Sequence, residues 1–263
     1  MQSPWSLQNK NCLITGGSKG IGRACVIEMA RLGARVLFTA RNPEQIHTLE
    51  AECLKLGYHV KGIVSDISKA PDRKSLAQAV NSEFDGKLHV LINNAGTNIR
   101  RALHEYSDDE INFILETNMG GPLDLLRHLY PALQSTGESS VVNVASVAAS
   151  QDVRSGAPYG MSKSALLQLS RSLAVEWAPD GIRVNSVSPW YTATPLAEPV
   201  LQNPEKLNRI LDRTPLGRIA DAEEVARVIA FLAMPASSYV SGQNINVDGG
   251  MSISGLHENQ HSR

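Results

Sequence analysis

An α/β fold, a single doubly wound parallel sheet with helices on both faces, is the fold class the sequence predicts. Seven short apolar runs recur along the 263 residues, and several lack polar alternation, as strands buried on both faces do. Stretches long enough for crossover helices separate them. A glycine-rich turn joins the first run to the first helical stretch. Repeated β-α-β units in one direction build a parallel sheet.

The runs are residues 11–15, 35–39, 60–66, 88–92, 140–145, 183–187 and 244–247. Residues 20–32 open on glycines and carry Ile21, Ala24, Cys25 and Met29 at helical spacing. Residues 43–56 begin with Pro43, suited to a first helical position, and stop before Gly57. Ser107-Asp-Asp-Glu110 is a capping box, which predicts one long helix over 107–133. Residues 157–178 read as another helix, and Asp221-Ala-Glu-Glu224 places acids where a helix dipole favours them. Residues 190–216 break the rhythm with Pro195, Pro199, Pro204 and Pro215, and are expected to form a substrate lid rather than an irregular packing segment. No linker or repeat interrupts residues 1–263, so one domain is expected, with 256–263 frayed.

Composition excludes several function classes. Hydrophobic residues are 42% and charged ones 19%, enough for a packed core. With 25 basic and 26 acidic residues, a net of −1, there is no nucleic-acid footprint and no polybasic membrane surface. The longest apolar run, 228–234, is far below the ~20 residues of a membrane span. The start lacks the basic and apolar regions of a secretory signal. Cys12, Cys25 and Cys53 show no CxxC spacing, which suits reduced thiols and a cytoplasmic location. The seven histidines are scattered without ligand spacing, so no metal is expected.

In Thr15-Gly-Gly-Ser-Lys-Gly-Ile-Gly22, Gly16, Gly20 and Gly22 let the backbone turn tightly against a pyrophosphate, with Ser18, Lys19 and Ile21 between them. The helix N-terminus there offers free N–H groups and the positive end of its dipole. Such a turn alone is also an ordinary βα connection; its place between first strand and first helix points to a nucleotide. An acid ~20 residues on would take the ribose 2′-hydroxyl of NAD. Residues 39–42 instead read Thr-Ala-Arg-Asn. Arg41 can grip a 2′-phosphate bidentately, so NADP(H) is expected, unless Arg41 is a solvated loop charge. Glu44 dissents, but it falls in a first helical turn and serves the dipole. Asp66 either accepts from the adenine amino group or caps the next helix. In Asn93-Asn-Ala-Gly96, small residues let Asn93, Ala95 and Gly96 pass close to the cofactor.

Ser146 follows the fifth run, and Tyr159 and Lys163 lie one helical turn apart on one face. A free tyrosine needs help of ~3 pKa units, or ~4 kcal/mol, to act near pH 7. A neighbouring ammonium and the positive nicotinamide ring would both favour the tyrosinate. Ser146 can hold a carbonyl for hydride delivery. Asn118, inside the long helix, can hold a water linking Lys163 to solvent.

Together these residues resemble the short-chain dehydrogenase/reductase family. The matches are Thr15-Gly-x-x-x-Gly-x-Gly22, Asn93-Asn-Ala-Gly96, Asn118, Ser146, Tyr159-x-x-x-Lys163 and Asp248-Gly-Gly250, spanning almost the whole chain. Asn94-Ala-Gly-Thr-Asn-Ile-Arg100 is similar to the tropinone reductase-like members of plants. The resemblance implies a Rossmann sheet of order 3-2-1-4-5-6-7 and reversible hydride transfer between NADP(H) and a ketone or alcohol. It implies Tyr159 as the acid, Lys163 also on the nicotinamide ribose, Ser146 on the substrate and Asn118 in a proton relay. It places Thr192 and Thr194, after Pro189, at the nicotinamide carboxamide. The family's usual Pro-Gly is here Pro189-Trp190, so the indole either narrows the pocket or points outward.

Ile99, Val147, Val153, Trp190, Tyr191 and Leu196 are expected to line the substrate pocket beside Ser146 and Tyr159. That mix suits an apolar or cyclic ketone and offers no clear cation or anion partner. A 3-oxoacyl reductase is the runner-up, and a silent NADP-binding regulatory protein the non-enzyme alternative. A Ser-Lys hydrolase would need neither the glycine turn nor Arg41. Residues 107–133 and 157–178 carry more apolar side chains than one sheet face covers, which predicts a homodimer or homotetramer unless a neighbouring helix of the same chain covers them.

Overall fold

The computed structural model describes residues 3–255. Its strands are β1 (Asn11–Ile14), β2 (Arg35–Ala40), β3 (Val60–Val64), β4 (Val90–Asn93), β5 (Ser139–Val144), β6 (Ile182–Pro189) and β7 (Asn244–Val247). They form one seven-stranded sheet in the order β3-β2-β1-β4-β5-β6-β7, every pair parallel. Cys12, Leu13 and Ile14 lie opposite Val36, Leu37 and Phe38 on one side and Val90, Leu91 and Ile92 on the other.

Strand alternation splits these residues between two layers. Cys12, Ile14, Phe38, Ile92 and Val142 pack beneath α1 (Gly20–Arg31), α2 (Pro43–Lys55) and the late helix Ala222–Ala233. Leu13, Leu37, Leu91, Val141 and Val184 pack beneath α3 (Ala70–Glu83) and the helices Gly121–Gln134 and Ala157–Glu176. Each fully buried Leu or Ile contributes about 1.5–3 kcal/mol, so the sheet centre dominates the stability. The edge strands β3 and β7 are only partly buried. Cys12, Cys25 and Cys53 are free and buried in the first layer, where burial pushes their thiols up.

The helix expected over 107–133 forms, with one wide turn inside it. It consists of α4 (Asp108–Leu115), a π turn (Glu116–Gly120) and α5 (Gly121–Gln134). Pro122 explains the wide turn: it lacks an N–H, and its ring would meet the carbonyl of Asn118 in a regular helix. The capping box forms as read, with Glu110 N donating to Ser107 Oγ at 3.2 Å and Ser107 N to Glu110 Oε2 at 3.1 Å. After α6 (Ala157–Glu176), the proline-rich segment folds into two short helices, α7 (Glu198–Leu201) and α8 (Pro204–Asp212), before α9 (Ala222–Ala233). Its ends are tied down: Ala193 N donates to Ala220 O at 2.9 Å, and Leu216 N to Gly249 O at 3.1 Å. α3 has no side-chain cap; Pro71 and Asp72 in its first turn are its local start signals. The fraying expected of 256–263 lies outside the described residues.

Candidate active site

The chain leaves β1 toward β2 and β3, then returns to the other side through β4. Beyond the carboxyl ends of the strands, at this switch point, lies a cavity of ≈ 700 Å³.

At one end it is walled by the glycine turn. Gly16 (φ +67°) and Gly20 (φ +51°) adopt left-handed conformations there. A Cβ on Gly16 would lie 2.9 Å from Ala95 Cα, and one on Gly20 3.0 Å from Thr194 Cγ2. Buried and half-buried polar side chains brace the turn. Asn94 Nδ2 donates to the carbonyls of Thr15 and Gly16, both at 3.0 Å. Thr15 Oγ1 accepts from Asn94 N and Ala95 N, and Thr39 Oγ1 from Gly16 N. No side chain caps the α1 N-terminus at Lys19, which leaves its first N–H groups to a ligand.

Gly16, Ser18, Lys19, Gly20, Ile21, Arg41, Asp66, Ala95, Gly96, Pro189, Thr192 and Thr194 all line the cavity. Two expected residues do not. Gly22 lies under the turn, where a Cβ would sit 2.1 Å from Gly16 O, so it makes room for the turn rather than for a ligand. Asn93 ends β4 pointing inward, donating to Asn143 Oδ1 at 2.8 Å. Its neighbour Asn94 does the bracing instead. Asp66 does not cap α3, because Lys69 occupies that position. Asp66 Oδ1 instead accepts from Ser68 N and Ser68 Oγ. Asn42 caps α2 and Glu44 stands in its first turn.

The side chains of Arg41 and Lys19 form no ion pair or hydrogen bond among the described residues. Ser65 Oγ and Thr117 Oγ1, both on cavity-lining residues, are buried without a partner. Neither had a sequence signal, since a lone hydroxyl belongs to no motif. A narrow glycine cradle, a free helix N-terminus, orphaned hydroxyls and unpaired cations fit an anionic dinucleotide.

At the other end, Tyr159 and Lys163 project from α6, with the Lys163 nitrogen 5.8 Å from the Tyr159 ring centroid. Lys163 is buried and its Nζ donates to Val144 O at 2.8 Å. Burial lowers its pKa to about 8. Burial also pushes the Tyr159 phenol up; the Ser146 hydroxyl and the Arg100 charge pull it down, and Tyr191 raises it. The sequence predicted that Lys163 would lower it. In the structure burial is the larger influence, and the cation acting on Tyr159 is Arg100. Ser146 Oγ accepts from Ala148 N at 3.1 Å.

Asn118 does not face the cavity. From the π turn its Oδ1 accepts from Thr97 N at 2.8 Å, and its Nδ2 donates to Thr97 O at 2.9 Å and Ser162 Oγ at 3.0 Å. Both amide hydrogens are thus used within the protein, so the side chain clamps the chain after β4 onto α6. Ser162, which also donates to Tyr159 O at 2.7 Å, is part of that clamp and was not foreseen.

Val153, Trp190, Tyr191 and Leu196 line the substrate side. Val147 does not: it is fully buried at the start of a 3-10 turn, and Ala148 lines the cavity instead. Ile99 does not either; its carbonyl accepts the Tyr106 hydroxyl at 2.5 Å, and Arg100 is the residue presented. That cation corrects the expectation of an uncharged pocket. Trp190 lines the wall while its Nε1 donates to Thr214 Oγ1 at 3.0 Å, and its ring meets Tyr191 edge-on at 4.7 Å. The indole is therefore anchored to the foot of the 190–216 segment. Among the described residues no group of three or more His, Cys, Asp or Glu could hold a metal, and no helix is long and apolar enough to cross a membrane.

A family model described as enoyl-(acyl carrier protein) reductase matches residues 16–252. A tropinone reductase homolog of Arabidopsis thaliana is 45% identical over 252 residues, covering 96% of each chain. A second, described as chloroplastic, is 43% identical over 96% of this chain and 78% of its own length. The gluconate 5-dehydrogenase of Burkholderia cenocepacia, solved with NADP and tartrate, superimposes with a TM-score of 0.91 at 27% identity, over 95% of this chain and 98% of that one. A short-chain type dehydrogenase/reductase of Mycobacterium marinum does so with a TM-score of 0.88 at 30% identity, over 94% and 97%. With its sheet order, glycine turn and Ser146–Tyr159–Lys163 set, the chain belongs to the short-chain dehydrogenase/reductase family of oxidoreductases and resembles its tropinone reductase-like members.

Proposed function

We propose that this protein reduces a small apolar or cyclic ketone with NADPH, reversibly, and that residues 1–263 act as one catalytic domain. One observation carries this: Ser146, Tyr159 and buried Lys163 line one cavity, whose far end offers the unpaired side chains of Arg41 and Lys19. NADPH, when bound, supplies the hydride. Arg41 and Lys19 hold its 2′-phosphate, and the α1 N-terminus its pyrophosphate. Ser146 and Tyr159 hold the carbonyl oxygen, and Tyr159 gives it a proton as charge develops. Lys163, buried on the same helix, would hold the nicotinamide ribose, and the Arg100 charge favours the tyrosinate left behind. Asn118, through Thr97 and Ser162, keeps the Lys163 turn in place. The segment 190–216 closes over the substrate, hinged between its tied ends.

Purified protein with NADPH and a panel of cyclic ketones tests this: the reduced-nicotinamide absorbance should fall, and faster than with NADH. Binding of NADPH without turnover of any ketone in the panel would favour a regulatory role.

Two or four copies assemble through α4, α5 and α6, where Phe113, Leu123, Met161 and Val175 are exposed. Light scattering checks this against the 28.5 kDa of one chain. Three buried free thiols support a cytoplasmic location.

A further inference from the structure

The reactive end of the cavity carries an unbalanced positive charge. Arg100 lines it and forms no ion pair or hydrogen bond through its guanidinium among the described residues. Its neighbour Arg101 is paired with Glu110 at 2.9 Å. Among the described residues lining the cavity, Asp66 is the only carboxylate, and it stands beyond β3 at the opposite end.

The chain holds Arg100 in a fixed place. Tyr106 donates to Ile99 O at 2.5 Å, and Arg101 N donates to the same hydroxyl at 3.3 Å. One phenol thus pins the backbone on both sides of Arg100. Upstream, Asn118 bonds both the N–H and the carbonyl of Thr97. A side chain on so short a tethered segment loses little backbone freedom when it binds. The guanidinium charge acts on the Tyr159 hydroxyl, so it stands within electrostatic reach of the proposed proton donor. Val153, Tyr191 and Leu196 form apolar wall around the same space.

We propose that Arg100 is an anion-recognition residue of the substrate pocket, and that the ketone or alcohol substrate carries a carboxylate or similar oxyanion away from its reacting carbon. This rests on the ketone reductase reading and narrows it. The guanidinium fork matches a carboxylate bidentately, while the same charge repels a protonated amine. Arg100 is exposed and hydrated, so the magnitude depends on how far a substrate covers it. An open, solvent-screened pair gives about fivefold or less in affinity. A charge-assisted bond sheltered by substrate gives about tenfold or more.

The test is steady-state kinetics on 4-oxocyclohexanecarboxylate, its methyl ester and 4-(dimethylamino)cyclohexanone, which share one ring. In the wild type, kcat/KM should rank carboxylate, ester, ammonium, with carboxylate about tenfold or more above ester. Arg100→Gln should level carboxylate and ester, and Arg100→Lys should keep part of the preference. Any effect of Arg100 on Tyr159 is common to all three probes and cancels in their ratios. A carboxylate-to-ester ratio below about fivefold, or one unchanged in Arg100→Gln, would overturn the anion site while ester turnover leaves the reductase standing. If no probe is turned over, tryptophan-fluorescence titration of the NADPH-loaded protein decides. Selective carboxylate binding lost in Arg100→Gln keeps the anion site and overturns ketone reduction; unselective binding, or none, overturns both.

Discussion

The two ends of the cavity are built on different plans. The nucleotide end is mostly backbone: a left-handed glycine turn, a free helix N-terminus, and Thr15, Thr39 and Asn94 bracing the main chain. The reactive end is mostly side chains from separate stretches of sequence. Gly96–Arg100, Ser146–Ser155, α6 and Trp190–Ala197 meet there only because β4, β5 and β6 are neighbours in the sheet. A phosphate cradle needs local backbone shape, whereas a proton donor needs burial and charge supplied from a distance. Mutations at the first end should therefore change which ligand binds, and at the second how fast it reacts.

The sharpest way to break that distinction is Tyr159→Phe. Turnover should fall about 10²–10⁴-fold, while fluorescence titration shows NADPH affinity unchanged. Retained turnover would remove Tyr159 as the acid.

Lys163 separates the ends by pH. Its folded pKa of about 8 lies below the ordinary lysine value of 10.5. Between those values the unfolded chain holds a proton that the folded chain has released. Stability should therefore rise with pH across that window, by up to about 3 kcal/mol. Below pH 8 both states are protonated, and the cost of burying the ammonium is present in full. Urea midpoints against pH for wild type and Lys163→Met check this; parallel curves would mean that Lys163 does not titrate as described.

At the nucleotide end, Arg41→Asp should lower kcat/KM with NADPH about 10–100-fold and reverse the preference over NADH. Ligand-free thermal stability should barely move, since Arg41 has no partner to lose. Equal use of NADH by the wild type would defeat the assignment.

The smallest effect is expected at Trp190. Trp190→Phe removes the bond to Thr214, worth about 0.5–1.5 kcal/mol, and should raise KM a few-fold with little change in kcat. A larger fall in kcat than in affinity would place the indole in the chemistry instead.

Much of the nucleotide end was legible because its determinants are contiguous. Gly16, Gly20 and Arg41 sit where strand, turn and helix follow one another, and the capping box at Ser107 and Pro43 at the head of α2 are equally local. Three misplacements came from side-chain direction, which spacing does not report. Asn93 points into the core, Val147 is buried where Ala148 is presented, and Arg100 rather than Ile99 lines the cavity. Gly22, which has no side chain, was misplaced by depth, since it lies under the turn. Asn118 was found but its work was not, because its partners Thr97 and Ser162 lie 21 and 44 residues away.

The sequence by itself determined the parallel sheet, since strands buried on both faces must be apolar throughout. It likewise determined the glycine turn and the Tyr159–Lys163 spacing, each set by local geometry. Only the tertiary structure decided that the π turn aims Asn118 at Thr97 and Ser162, and that Trp190 is held by Thr214. Only it placed Arg100 at the reactive end, through the shared hydrogen bonds of Tyr106. Each of these depends on which distant groups are packed together once the sheet has formed, and burial and charge at a site are properties of that packing rather than of any one stretch of chain.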